Sequence, residues 1–141
     1  MSSIVSFKAP DITQKPLARL TTPAKRMEWA DRKVSLPTLE GMSFERIQGI
    51  VALVAQGNYT LIHFFDSRQI LVCRTLREME EAINNSEQFV RVHRSSTINL
   101  NCLQRYVRGK GGYVVMENGQ VINVATDRKQ FFFDALKQYF G

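Results

Sequence analysis

The sequence is poor in the groups that catalysis and metal binding need. It holds two histidines and two cysteines in 141 residues. Cys73 and Cys102 cannot build a disulfide framework, and so sparse a cysteine usage fits a reducing compartment. No Cys-x-x-Cys or similar paired spacing occurs, and His63 and His93 fall on separate predicted strands, so no metal site is expected. Nucleophile elbows and Walker-type loops are missing too. Gly109-Lys110-Gly111-Gly112 lacks the Lys-Ser/Thr ending of a phosphate cradle and precedes a strand rather than a helix, so it reads as a flexible loop. With no acid–base–nucleophile set to assemble, neither catalysis nor a cofactor is expected. No apolar run approaches the roughly 18 residues of a membrane-spanning helix. Residues 1–10 have no apolar leader core. These absences predict a cytoplasmic protein with no membrane partner.

What is present is an ordinary globular composition, 44% hydrophobic and 23% charged, with an excess of basic charge. The length suits one domain with a real core. Lys+Arg outnumber Asp+Glu by 19 to 13, a net of +6, which favours a polyanionic partner. The charge is also unevenly placed. Residues 88–116 carry Arg91, Arg94, Arg105, Arg108 and Lys110 with no acid, directly after a stretch holding Glu78, Glu80, Glu81 and Glu87.

Residues 1–33 contain Pro10, Pro16 and Pro23 and sustain no period, which predicts a basic, partly disordered arm with one short helical turn over 22–32. Trp29, the only tryptophan, is positioned to anchor that arm on a partner. From 34 to 141 the pattern is that of a domain, mainly β with two short helices. Strands are expected over 34–38, 44–47, 50–55, 59–65, 69–74, 89–93, 98–103, 105–108, 113–117 and 120–124. Gly57-Asn58 and Asn118-Gly119 are turn signals, the second read as a two-residue hairpin with positive φ at both positions. Thr75-Leu76-Arg77-Glu78 fits a capping box, opening a helix with Leu76, Met79, Ala82 and Ile83 on one face. Thr126 is expected to cap a closing helix that runs to Tyr139 and packs Phe132, Ala135, Leu136 and Tyr139 inward.

The richest stretch is 89–100. Alternation puts Phe89, Arg91 and His93 on one side of a strand and Val90 and Val92 on the other. Arg94, Ser95, Ser96 and Thr97 then read as a polar turn. An arginine can bond two acceptors of guanine in the major groove, and hydroxyls suit phosphate oxygens. His93 and Asn99 are read as groups that hold the turn by side-chain bonds to the backbone.

The spacing Phe-x-Arg-x-His-Arg-Ser-x-x-x-Asn over 89–99 resembles the signature of the LytTR DNA-binding domain, the output domain of bacterial regulators of the LytR/AlgR/AgrA type. Ile50, Leu53, Ala55, Asn58 and Tyr59 resemble an earlier segment of that family in order and spacing. Arg74-Thr75-Leu76-Arg77-Glu78-Met79-Glu80 is similar to its helix start, and Asn118-Gly119 with the following strand to its late hairpin. The resemblance implies an elongated β fold of small antiparallel sheets that presents loops to DNA. It implies base contacts from Asn58 and Tyr59, then Arg94, and a third from an arginine before the last helix. Thr126 stands at that third position here, and Arg128 or Lys129, one turn on, is the substitute. Base reading is thus assigned to Arg94, Tyr59, Asn58 and Arg128. Backbone contacts are assigned to Arg91, Ser95, Ser96, Arg105, Arg108, Lys110 and Lys129. The function implied is sequence-specific binding of double-stranded DNA in transcription regulation, by a homodimer on paired repeats. Residues 1–33 lack the acidic pocket of a receiver domain, so regulation is expected through expression level, the arm or a regulatory protein bound to it.

Two other classes remain. The lost arginine at Thr126 would suit a protein-interaction module of the same fold. Tyr59, Tyr106 and Tyr113 would suit an RNA binder that stacks bases.

Overall fold

The computed structural model describes residues 32–141. The predicted arm, its helical turn and Trp29 lie outside the described residues.

The described chain is mostly antiparallel β-sheet with two helices. Strands β1 (Lys33–Thr38) and β2 (Gly41–Arg46) form a two-stranded ribbon. Strands β3 (Ile50–Gln56), β4 (Tyr59–Phe64), β5 (Gln69–Val72), β6 (Phe89–His93) and β7 (Ser96–Asn99) form a five-stranded sheet of order β5-β4-β3-β7-β6. Strands β8 (Leu103–Val107), β9 (Tyr113–Met116) and β10 (Val121–Asn123) form a third sheet with β9 in the middle. Helix α1 (Leu76–Ile83) carries the chain from one edge of the large sheet, β5, to the other, β6. Helix α2 (Lys129–Phe140) closes the chain.

Strand β3 is central because Ile50, Val51, Ala52 and Leu53 are all fully buried, which only a strand covered on both faces can satisfy. Helix α1 lies against β3 and β4 and buries Leu76, Met79 and Ile83. A separate core joins Val51, Ala52, Val90, Val92 and Ile98 of the large sheet to Val114, Met116 and Ile122 of the small one and to Phe132 of α2. Ala135, Leu136 and Tyr139 pack against that core, as their helical spacing predicts. Phe89, assigned by alternation to the polar side of its strand, is buried as well, at 5% exposure.

Local chemistry accounts for the turns. Thr75 accepts from the Glu78 amide at 3.2 Å while Glu78 accepts from the Thr75 amide at 2.9 Å, so both halves of the capping box form. Asn84, in the left-handed region, ends the helix. Gly57 (φ +62) and Asn58 form the two-residue loop between Gln56 and Tyr59, with glycine first, as a type II′ turn requires.

Four expectations need correction. The Asn118-Gly119 hairpin forms, but only Gly119 has positive φ (+88), and the Gly119 amide donates to Met116 O. It is a three-residue loop, a turn of ordinary hand followed by a left-handed glycine, rather than the two-residue form. The polar turn after β6 ends at Ser95. Ser96 and Thr97 pair with Val54 and Leu53 inside the sheet, and the expected strand over 98–103 is broken by a 3-10 turn at Leu100–Cys102. Thr126 caps nothing. It opens a 3-10 turn, Thr126–Arg128, and α2 then starts at Lys129 with no side-chain cap.

Candidate nucleic-acid interface

The antiparallel register places several turns together. Ser96 of β7 pairs with both Val54 of β3 and His93 of β6, so the Gly57-Asn58 and Arg94-Ser95 turns share one end of the large sheet. The Ala55 amide donates to Ser95 O at 2.8 Å and joins them. Tyr59 is partly exposed there, and Thr60 Oγ1 donates to the Arg74 carbonyl at 2.8 Å, which brings the half-buried Arg74 to the same end. A third segment reaches this end from the small sheet. The Ala125 amide donates to Val92 O at 2.9 Å, and Arg128 Nε donates to Arg91 O at 3.3 Å, so residues 125–128 are laid along the outer edge of β6. Arg94 and Arg128 line one open groove of about 500 Å³, with Glu80, Arg91, His93, Ala125 and Asp127. Asn58, Tyr59, Arg94, Ser95 and Arg128 are thereby brought onto neighbouring loops.

These loops are braced from within. Ser95 N donates to His93 Nδ1 at 3.2 Å, and the Ser95 hydroxyl lies 2.9 Å from the same nitrogen. An Nδ1 that accepts from an amide leaves the ring proton on Nε2 in the neutral tautomer. Arg91 turns its fork inward. Nε and Nη2 donate to the Glu80 carboxylate at 2.8 and 3.0 Å, and Nη1 donates to the Arg94 carbonyl at 3.1 Å. Thr97 Oγ1 donates to the same carboxylate. Arg128 is steadied by its own guanidinium lying 5.0 Å over the Phe131 ring.

The other basic residues assigned to phosphate lie on or beside the small sheet. Arg105 is exposed on β8, its edge strand, and Arg108 and Lys110 are exposed at and after that strand's end. The loop they begin abuts the third segment, since the Val124 amide donates to Gly112 O at 3.2 Å. Gly112 (φ +59) is required there: a Cβ would stand 2.4 Å from the Tyr106 hydroxyl and 3.2 Å from Lys129 Cε. Lys129 therefore sits at the junction of this loop with α2.

Not every assigned residue stays at the surface. Ser96 is 8% exposed within the sheet, which removes it from the groups a phosphate can reach. Asn99 is fully buried at the other end of β7 and holds Ile50 O, Gln88 Nε2 and the Asn101 amide rather than the Arg94 turn. Tyr106 packs against Phe132 and Phe133, with centroids 5.7 and 5.3 Å away, so it does not join Tyr59 as a base-stacking platform. Burial pushes the Cys102 thiol up to about 11, the state of an inert core group. Glu80 went unread as a site residue. Its spacing from Arg91 crosses two elements, beyond the i,i+4 pairs that sequence displays. Arg74 also went unassigned, and only the pairing of β4 with β5 reveals its place.

The family model of the LytTr DNA-binding domain matches residues 40–137. Among solved structures, the fold is similar to that of a LytTr DNA-binding domain from Bacillus cereus, with a TM-score of 0.64 and 20% identity over 74% of this chain and 96% of that one. No curated protein matches.

Proposed function

The chain belongs to the LytTR DNA-binding domain family, and from that premise we propose that it reads a specific double-stranded DNA sequence to regulate transcription, as a homodimer on paired repeats. The observation that carries this reading is the gathering of Asn58, Tyr59, Arg94 and Arg128 on neighbouring loops, which β-strand pairing and backbone bonds hold at one end of the large sheet. Arg94 is exposed and its guanidinium has no partner among the described residues, so its donors are available to a base edge. Arg105, Arg108 and Lys110 of the adjoining sheet and its loop, with Lys129 at the start of α2, supply sequence-independent attraction to phosphates.

Selection of bound duplexes from a random library at about 150 mM salt tests the reading, because near physiological ionic strength non-specific attraction is weak. Enrichment of a paired motif, lost in Arg94→Ala, is expected. That substitution should cost about 1–3 kcal/mol on the enriched duplex and relax its preference. Equal weakening on every sequence would make Arg94 a phosphate contact, and no enrichment by the native protein would end the sequence-specific reading.

A further inference from the structure

We propose that Glu80 is a positioning residue for DNA recognition: acting through Arg91, it fixes the Arg94 turn and the Arg128 segment relative to one another and so sets sequence preference without touching DNA. This rests on the DNA-binding reading above. Glu80 projects from α1, and its carboxylate holds Arg91 by two bonds, 2.8 and 3.0 Å. The third arm of the same guanidinium holds the Arg94 carbonyl, and the carbonyl of Arg91 receives Arg128 Nε. One residue therefore links a helix to both loops. Both partners of the pair are about three-quarters buried, with 26% and 28% of their side chains exposed. A lysine could not replace Arg91, because one ammonium cannot span a carboxylate and a carbonyl in that fork geometry.

The pair also controls charge. Arg91 lies in the basic stretch yet is neutralised by Glu80, so it adds no net cation to the DNA-facing surface. Removing the carboxylate should free an arginine beside the phosphate path. Affinity for any DNA should then become more salt-dependent while discrimination falls. A merely structural loss would not move the two in that way.

The test uses the full chain, the duplex that the native protein enriches, and a scrambled duplex of equal composition. Glu80→Gln should lower the ratio of the two affinities at least about fivefold, the low end of what one bidentate base contact contributes. It should also steepen the salt slope by roughly one phosphate's worth. Added to Arg94→Ala, it should change the ratio by less than it does alone, since one of the two arginines it positions is already gone. Asn99→Ala, which destabilises the fold from the end of β7 away from Arg94, controls for stability and should leave ratio and slope alone when compared at a temperature where both variants are folded. An unchanged ratio in Glu80→Gln, or a ratio that falls equally in Asn99→Ala, would overturn the proposal. A measurement without DNA separates this inference from the function it rests on. In the free protein, amide resonances of both Ser95 and Arg128 should shift in Glu80→Gln. Shifts confined to α1 and β6 would refute the coupling even if the native protein binds its duplex. Shifts in both loops with no duplex enriched would leave the coupling standing and overturn only the role in DNA recognition.

Discussion

Asn99→Ala should unfold the domain more readily than any surface change, and the structure fixes how much. Asn99 is fully buried and makes three hydrogen bonds: Nδ2 to Ile50 O at 2.8 Å, and Oδ1 from Gln88 Nε2 and the Asn101 amide, each at 2.9 Å. Each bond contributes about 1 kcal/mol net, and the Ile50 carbonyl is left without a good donor, since Cys102 Sγ stands 3.9 Å away. The expected loss is about 3 kcal/mol, or a fall of roughly 10–15 °C in Tm for a domain of this size. Urea unfolding reads it as a lower midpoint with an unchanged slope. Asn99→Asp provides the control. It keeps both accepted bonds but turns an oxygen toward Ile50 O, so the native state raises that carboxyl's pKa. A group whose folded pKa is raised regains stability as pH falls, because the protonated acid can donate where the amide did. The deficit of Asn99→Asp against the native protein should therefore shrink in acid. A loss below about 1 kcal/mol in the alanine variant, within the range of one ordinary bond, would refute the reasoning. So would a change in DNA preference at matched stability, because Asn99 lies at the end of β7 away from Arg94.

Arg108→Ala should weaken binding uniformly across sequences and flatten the salt slope by roughly one, and an unchanged slope in a salt titration would move Arg108 off the interface. Thr75→Ala should cost about 1 kcal/mol through loss of the cap, with a loss near zero in urea unfolding showing that Glu78 alone holds the turn. Arg68 grips Glu45 and Asp66 and holds both carboxyls below their ordinary values, so that stabilisation is present at neutral pH and lost as pH falls through the lowered values. Arg68→Ala should therefore flatten the acid limb of a stability–pH curve, and an identical limb would show that the exposed pairs contribute nothing.

Local chemistry was legible wherever one segment decides its own shape. The capping box at Thr75, the Gly57 turn and the inward face of α2 all depend on residues within four positions of each other. The start of strand β7 was not legible, because Ser96 and Thr97 look like a polar turn until they pair with Val54 and Leu53 and Glu80 satisfies the Thr97 hydroxyl. Buried polar groups with partners carry no hydrophobic signal. The hairpin at Asn118-Gly119 could be placed but not typed, since one glycine serves both loop lengths. At the candidate interface, residue types pointed to Arg94 and the family resemblance to Arg128, but sequence offered no means of telling an exposed arginine from one that faces a glutamate. Arg91 and Arg94 stand three positions apart in one basic stretch, yet Arg91 is turned onto Glu80 and Arg94 is exposed.

That contrast bears on how loops can read a base sequence at all. Ordering a free backbone costs about 1–2 kcal/mol per residue, and a loop that orders only on binding subtracts this from the affinity. Here much of that ordering precedes binding. Ser95 is closed by His93 and tied to Ala55, Arg94 is held at its carbonyl by Arg91, and Arg128 is fastened along β6. The exposed side chains of Arg94 and Tyr59 lie outside this bracing, and in the proposed reading theirs is the freedom that would be lost on the ligand. An acidic residue inside a basic surface fits the same logic. In the proposed role, Glu80 would subtract one charge from the phosphate attraction shared by every sequence and use it to hold the Arg94 turn through Arg91. A rigid reading edge with moderated charge separates sequences better than a more basic, looser one, since only fixed donors can be left unpaired by a wrong base.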